Sequence, residues 1–288
     1  MAGMAELRPR SELRNFLRAA RRRIDPVEAG IPRNRRRRTK PGLRIEELCA
    51  LAGLSITWYS ALERGQPVSI SRRLLEAIAD ALRLNEDERH YLMALTQYAE
   101  PKLAARDTSI RETLARIVRA IEFGGSMLID DRWNVVASNA IARCVFSLET
   151  PGLPDNIIVR TFLDDAYRSL HVDWEPVATS MVAILKMNYA YARDRVSFEG
   201  FVQRLSQGSS EFAALWAQPI VSELRPKILR LAHPKLGALR LESIGLDQSE
   251  RWRAHAEDTL LVHVPVAGTG TVEALQSVHA MTGAALGT

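Results

Sequence analysis

Two cysteines, Cys49 and Cys144, are all that the 288 residues contain. That excludes a disulfide framework and a cysteine-rich zinc site. It suits a reducing compartment, so the cytoplasm is the expected location. No window approaches the roughly 18 uninterrupted apolar residues that a membrane span needs, so no membrane partner is expected. The N-terminal stretch has no signal-peptide core, because Glu6, Arg8, Pro9, Arg10, Glu12 and Arg14 interrupt it. No Gly-rich phosphate loop, Ser–His–Asp order or paired-Cys motif occurs. An enzyme is therefore not the expected reading, and neither a metal nor an obligatory cofactor is implied. The chain is 25% charged and 47% hydrophobic, the mix of an ordinary globular protein. At roughly 100–200 residues per domain, its length implies about two domains.

The placement of charge says more than its total. Residues 1–44 hold 14 Lys and Arg against 4 Asp and Glu, a net of +10, while the whole chain is +5. The remainder is therefore acidic by −5. A basic end on a mildly acidic body points to an anionic polymer, with nucleic acid first and anionic lipid second. The run Arg35, Arg36, Arg37 and Arg38 is the densest part of that charge.

Periodicity divides the chain. Residues 11–24 repeat Leu13, Phe16, Leu17, Ala20 and Ile24 at helical spacing. Four compact helices are expected over residues 44–98, with Ser55 an N-cap and Asn85 opening a capping box. Residues 1–98 form one domain, 99–107 a linker and 108–266 a second domain; 267–288, rich in Gly, Ala and Thr, reads as a flexible tail. The second domain opens with a helix over 108–122. Strand-like runs follow at 126–129, 133–138, 227–232, 237–243 and 259–264, with helical segments between the second and third.

Residues 46–65, EELCALAGLSITWYSALERG, carry the sharpest pattern. A short helix ends at Gly53, where glycine supplies the left-handed backbone of a tight turn. A second helix starts at Ser55. Leu48, Leu54, Tyr59 and Leu62 can pack the pair together, leaving Ile56, Thr57, Ser60 and Ala61 facing outward. This is helix-turn-helix geometry, in which the front of the second helix enters the major groove. The expected contacts with double-stranded DNA are Arg35–Arg38, Arg44, Ser55, Ile56, Thr57, Ser60 and Arg64. Hydroxyls would meet base edges or phosphates, Ile56 a thymine methyl, and Arg44 a phosphate. Because one such unit reads few base pairs, a homodimer is expected, built through the second domain and the 108–122 helix.

Gly53-Leu54-Ser55 and Leu62-Glu63-Arg64-Gly65 resemble the Cro/repressor-like helix-turn-helix family. Ile45 replaces its usual Gln and Cys49 its frequent Ala, which leaves Arg44 to supply the missing contact. A narrower resemblance covers nearly the whole chain. RRRRTKPGLRIEELCALAGLSITWYSALERG, DDRWNVVASNAIARCVF, NIIVRTFLDDAYRSLHVDWE, SSEFAALWAQPIV and HPKLGALRLES are similar, in order and spacing, to blocks of MmyB-like transcription regulators. The resemblance implies an all-α helix-turn-helix domain followed by an α+β PAS-like ligand-sensing domain with a small antiparallel sheet. It also implies a small hydrophobic ligand such as a fatty acid.

Trp133, Phe162, Trp174, Phe212 and Trp216 are candidates for a ligand wall, although any one of them could simply fill a core. Arg160, inside the apolar stretch 157–162, is the candidate anchor for a carboxylate, with Asn139 and Arg143 behind it. His233, before Pro234, reads as the cap of a turn. His171, Asp173 and Glu175 form the one cluster that an enzyme could use, but Asp173 serves better as an N-cap there. Two readings stay open for the second domain: a ligand sensor, or a dimerisation module alone.

Overall fold

The computed structural model describes residues 7–31, 41–66, 68–96, 108–148, 152–192, 194–222, 227–246 and 258–285. The arginine run and the expected 99–107 linker lie outside these residues.

The N-terminal domain is a five-helix bundle: α1 (Leu7–Arg23), α2 (Ile45–Ala52), α3 (Ile56–Glu63), α4 (Arg72–Ala81) and α5 (Glu86–Leu95). Its core takes Leu13, Phe16, Leu17 and Ala20 from α1, Leu48 from α2, Tyr59 and Leu62 from α3, and Leu75, Ile78, Tyr91 and Leu92 from α4 and α5. α1 begins at Leu7, one turn ahead of the expected start at residue 11, while the helices that follow Ser55, Ser71 and Asn85 start at their caps. Ser55, Ser71 and Asn85 accept bonds from the backbone N–H groups of Trp58, Leu74 and Glu88. Glu88 returns a bond to the Asn85 N–H at 3.0 Å, which completes the capping box.

Arginine–carboxylate clamps tie α1 across this bundle. Glu63, only 3% exposed, accepts two bonds from the Arg21 guanidinium at 2.9 and 2.7 Å. Arg21 also donates to the Leu43 carbonyl at 2.6 Å. Arg23 grips Glu88 through both oxygens, at 2.6 and 2.9 Å. The chain returns to α1 at Gly42, whose φ is +86°, and a Cβ there would lie 2.4 Å from the Arg22 Cα. Only glycine fits on both counts.

The second domain begins with α6 (Thr108–Ala120), then β1 (Gly125–Asp130) and β2 (Val135–Ser138). The excursion that follows is helical: α7 (Ala140–Val145), α8 (Ile157–Leu163), α9 (Asp165–Leu170), α10 (Trp174–Tyr191), α11 (Arg195–Gly208) and α12 (Ser210–Ala217). The chain closes with β3 (Lys227–His233), β4 (Gly237–Leu246), β5 (Asp258–Pro265) and α13 (Thr271–Ala285). The five strands form one antiparallel sheet in the order β2-β1-β5-β4-β3. This is the α+β, PAS-like architecture expected from the sequence. Helix α6 covers the outer face, with Ala115 and Val118 against Leu128, Leu260 and Val262. The inner face, including Met127, Leu229, Leu231, Leu241 and Leu261, joins the helices of the excursion in one large core.

The expectation of a flexible tail from residue 267 is corrected. Helix α13 occupies Thr271–Ala285 and buries Leu275 and Val278 in that core. Small side chains lowered the apparent hydrophobicity of the segment without preventing a helix from packing.

The two domains share a wall. Met181, Val182, Ile184 and Leu185 of α10 lie in the sheet-domain core, while Met187 and Ala190 of the same helix lie in the N-terminal core. The Tyr191 hydroxyl donates to the His90 carbonyl at 3.4 Å. Glu12 faces Lys186 in this seam, and burial raises its carboxyl pKa while the lysine opposes the rise.

The inner sheet face carries one polar row. Lys227 pairs with Ser243, Ser243 with His263, and His263 with Gly125. His171 makes an isolated bridge to Leu231 beyond the β3 edge. Neither ring nitrogen of His171 or His263 has a hydrogen-bond partner. Desolvation, reinforced by Lys227, pushes the His171 pKa down from 6.5 to about 4 and that of His263 to about 3. Both imidazoles are therefore neutral at neutral pH.

Two tests follow from this packing. Unfolded histidines bind protons near pH 6.5 and these two resist doing so, so stability is full above that pH and falls as pH drops toward about 4 and about 3. At about 1.4 kcal/mol per unit, His171 alone accounts for roughly 3 kcal/mol of that loss. Urea unfolding at stepped pH should show it, and His263→Phe should flatten the slope. Separately, Glu63→Gln leaves the half-buried Arg21 guanidinium without its counter-charge, and should cost up to about 3 kcal/mol in the same assay.

Candidate functional sites

The first site is the exposed end of the helix-turn-helix. Gly53 adopts φ +66° and ψ +36°, and its N–H bonds back to the Cys49 carbonyl. The left-handed turn thus aims α3 away from α2, while Leu48 and Tyr59 lock the pair from beneath at 0% exposure. Ser55, Ile56 and Thr57 are exposed and Ser60 is half-buried, so the front of α3 presents the side chains expected to face DNA. Arg64 is exposed at the far end of α3. Arg44 is exposed ahead of α2, and its backbone N–H is held by the Glu47 carboxylate at 2.8 Å.

One part of this surface was not anticipated. The Trp58 indole N–H donates to the Ser69 carbonyl at 3.1 Å and pins the loop before α4 beside α3. Exposed Arg72 and Arg73 therefore stand on the flank of the same helix. The signal was present as Ser71-Arg72-Arg73 at a helix start, where N–H groups and cations together suit phosphate.

The second site is the interior of the sheet domain, and several expectations change there. Arg160 is fully buried, but not as a free cation. It bonds the Leu148 carbonyl at 2.7 Å and Asp155 at 3.1 Å, and lies 3.5 Å from the Asp164 carboxylate. Two carboxylates stand against its charge and tie α8 to the loop before it, while its Nε and Nη1 have no hydrogen-bond partner. Asn139 is likewise committed. Its amide oxygen accepts from the N–H groups of Ser126 and Ala142, and its amide nitrogen donates to the carbonyls of Ile121 and Gly124. Every polar atom of that side chain is occupied in joining α6, β1 and α7. Arg143 donates to the Ser138 carbonyl at 2.9 Å on the same hairpin.

The aromatic candidates are gathered, but against one another. Phe162 meets Trp174 and Phe212 edge-on at 5.8 and 5.2 Å, and Phe212 stacks on Trp216 at 5.9 Å. The Arg168 guanidinium lies 3.6 Å over the Trp174 ring, and the Trp174 indole donates to the Thr161 carbonyl. These rings form a packed cluster joining α8, α10 and α12. Trp133 stands apart: it is buried, its φ is +66°, and its indole nitrogen has no partner. A bulky residue held in the left-handed region is strained, here at the β1–β2 turn.

His171, Asp173 and Glu175 are separated. His171 is buried, Asp173 is clamped by both nitrogens of the Arg230 fork, and Glu175 is exposed. Asp173 occupies the N-cap position of α10, but its carboxylate makes no cap bond because Arg230 has taken it. His233 caps its turn as expected: its Nδ1 accepts from the N–H groups of Lys235 and Leu236, and its Nε2 bonds the Cys144 carbonyl at 3.1 Å. No group of three or more His, Cys, Asp or Glu among the described residues could hold a metal ion. No helix among them is long and apolar enough to cross a membrane.

His263 was missed by sequence reasoning. It lies within the run TLLVHVP, where no alternation marks which face is inner.

Residues 12–92 match a helix-turn-helix domain family. Residues 110–278 match the family of the MmyB-like transcription regulator ligand binding domain. No curated protein matches the chain. With the second of these families covering more than half its length, the chain belongs to the MmyB-like transcription regulators, carrying a DNA-binding head and a ligand-binding domain behind it.

Proposed function

We propose that the protein is a non-enzymatic regulator whose sheet domain senses an amphipathic acyl compound such as a fatty acid, and that binding changes its affinity for double-stranded DNA. The observation that carries this reading is the shared helix α10. A ligand that shifts Met181 or Leu185 in one core shifts Met187 and Ala190 in the other, because they sit on one rigid helix. Arg35, Arg36, Arg37 and Arg38, with Arg44, Arg72 and Arg73, supply phosphate contacts. Ile56, Thr57 and Ser60 supply base contacts.

We also read the protein as a homodimer. Helix α6 exposes Ile110 and Ile117, seven residues apart on one face, with Phe123 just beyond at 64% exposure. An apolar stripe of this kind suits a second copy of itself.

Two experiments test these readings. Operator and random DNA are titrated at several salt concentrations, with and without tetradecanoate. Joint Thr57→Ala and Ser60→Ala substitution should erase operator preference while sparing non-specific binding. Replacing Arg36, Arg37 and Arg38 by Ala should weaken all binding and flatten the salt slope by roughly one unit per lost contact. Tetradecanoate should change operator affinity by roughly 5–150-fold; no change leaves the dimerisation module as the account of the second domain. Sedimentation should show a dimer that Ile117→Glu converts to monomer, and a monomeric parent protein on and off DNA defeats that reading.

A further inference from the structure

We propose that Lys227, His171 and His263 form the head-group site for the carboxylate of an amphipathic acid, a site that takes up protons as it fills. This rests on the acyl-sensor reading above and names the chemistry by which the ligand is held.

A buried polar atom with no partner is costly, and native interiors rarely keep one. Here four imidazole nitrogens are in that state in two rings that are 7% and 3% exposed. A tightly packed core would have placed Leu or Phe at these positions. The rings lie on one side of the sheet in an apolar setting. Phe146 packs on His263 at 4.6 Å between ring centres, and Tyr167 on His171 at 5.2 Å. Met127, Leu241 and Leu261 line the same inner face.

Lys227 sets the charge felt by the two rings, while Glu175 lines the neighbouring groove and Asp173 is paired with Arg230. Lys227 begins the row that runs through Ser243 to His263, and among the described residues its ammonium reaches the Ser180 hydroxyl, at 3.4 Å. Burial lowers its pKa. Its charge depresses both imidazoles, and His171 depresses His263 further. Other titratable groups nearby are occupied or neutral. Tyr167 on α9 has its phenol pushed far up by burial. Cys144 on α7 and His233 on β3 are joined through the Cys144 carbonyl. Arg160 on α8 is answered by Asp155 and Asp164. Among the described residues, no carboxylate contributes to the shift of Lys227, His171 or His263.

A cation and two neutral donors without a counter-anion are what a carboxylate requires when it leaves water. An open surface groove of about 470 Å³, lined by Glu175, Pro176, Thr179, Ser180, Ala183 and Ser222, meets this region at Ser180, whose hydroxyl Lys227 touches. A carboxylate arriving there favours the charged form of every one of the three groups. Binding therefore draws protons in, and affinity rises as pH falls.

The test uses the full chain, stripped of lipid, in calorimetry against tetradecanoate and tetradecanol. Tetradecanoate should bind the parent protein at least tenfold more tightly than the alcohol. Its affinity should rise between pH 8 and pH 6, with net proton uptake seen from buffers of different ionisation enthalpy. Lys227→Met should cost at least tenfold for the acid and less than twofold for the alcohol. His171→Phe with His263→Phe should cut the proton uptake to the part that Lys227 alone supplies. The alcohol serves as the check on folding, because a variant that binds it normally has kept its folded sheet domain. Should the double variant not fold, His263→Gln replaces it, with reduced uptake expected. Equal binding of acid and alcohol, or acid affinity unchanged in Lys227→Met, overturns the head-group site while leaving the acyl sensor intact. Failure of both ligands to bind overturns the two together.

Discussion

The structure depends on the burial of α10. Residues 181–187, MVAILKM, are all buried, seven in succession. An amphipathic helix serving one core cannot bury seven consecutive residues, since at 3.6 residues per turn some must face away. Here the far side meets a second core. The exception in the run is Lys186, whose amine donates to the Gln218 carbonyl and lies 5.3 Å from the centre of the Trp216 ring. The one charge on the buried stretch thus sits at the seam between domains, opposite Glu12. Without the bundle, Met187 and Ala190 would face water; without the sheet domain, α5 would lose the helix it packs on.

Much of this was legible in the sequence, for reasons that differ by region. The helix-turn-helix was readable because its determinants are local: Gly53 for the turn, Ser55 for the cap, and apolar spacing for the core. The order of strands and helices in the second domain was also readable. The roles of Asn139 and Arg160 were not. Asn139 joins Ile121, Gly124 and Ser126, neighbours that become close only once the hairpin forms. For Arg160 the burial was foreseen and the partner was not, although Asp164 stands one helical turn on. His263 was hidden by two-sided burial. With α6 over Leu260 and Val262 and the excursion helices over Leu261, β5 has no polar face, so its alternation disappears.

The polar groups of the interior sort into two kinds. Arg21 and Arg160 meet carboxylates, and these pairs fix how helices and loops cross. A buried pair of this sort contributes modestly to net stability, yet removing one partner strands the other. Lys227, His171 and His263 share no such closure. The first kind belongs to the scaffold; the second is where the scaffold leaves chemistry unfinished.

The contact at Gly42 has a consequence for the placement of the helix-turn-helix. The chain is bonded to the α1 backbone at Leu43, whose N–H donates to the Arg21 carbonyl. Leu43 lies two residues ahead of α2, so the end of α1 sets the point from which α2 begins. A side chain at residue 42 would push the chain off the Arg22 backbone, and the helix that carries the turn would start from a displaced origin.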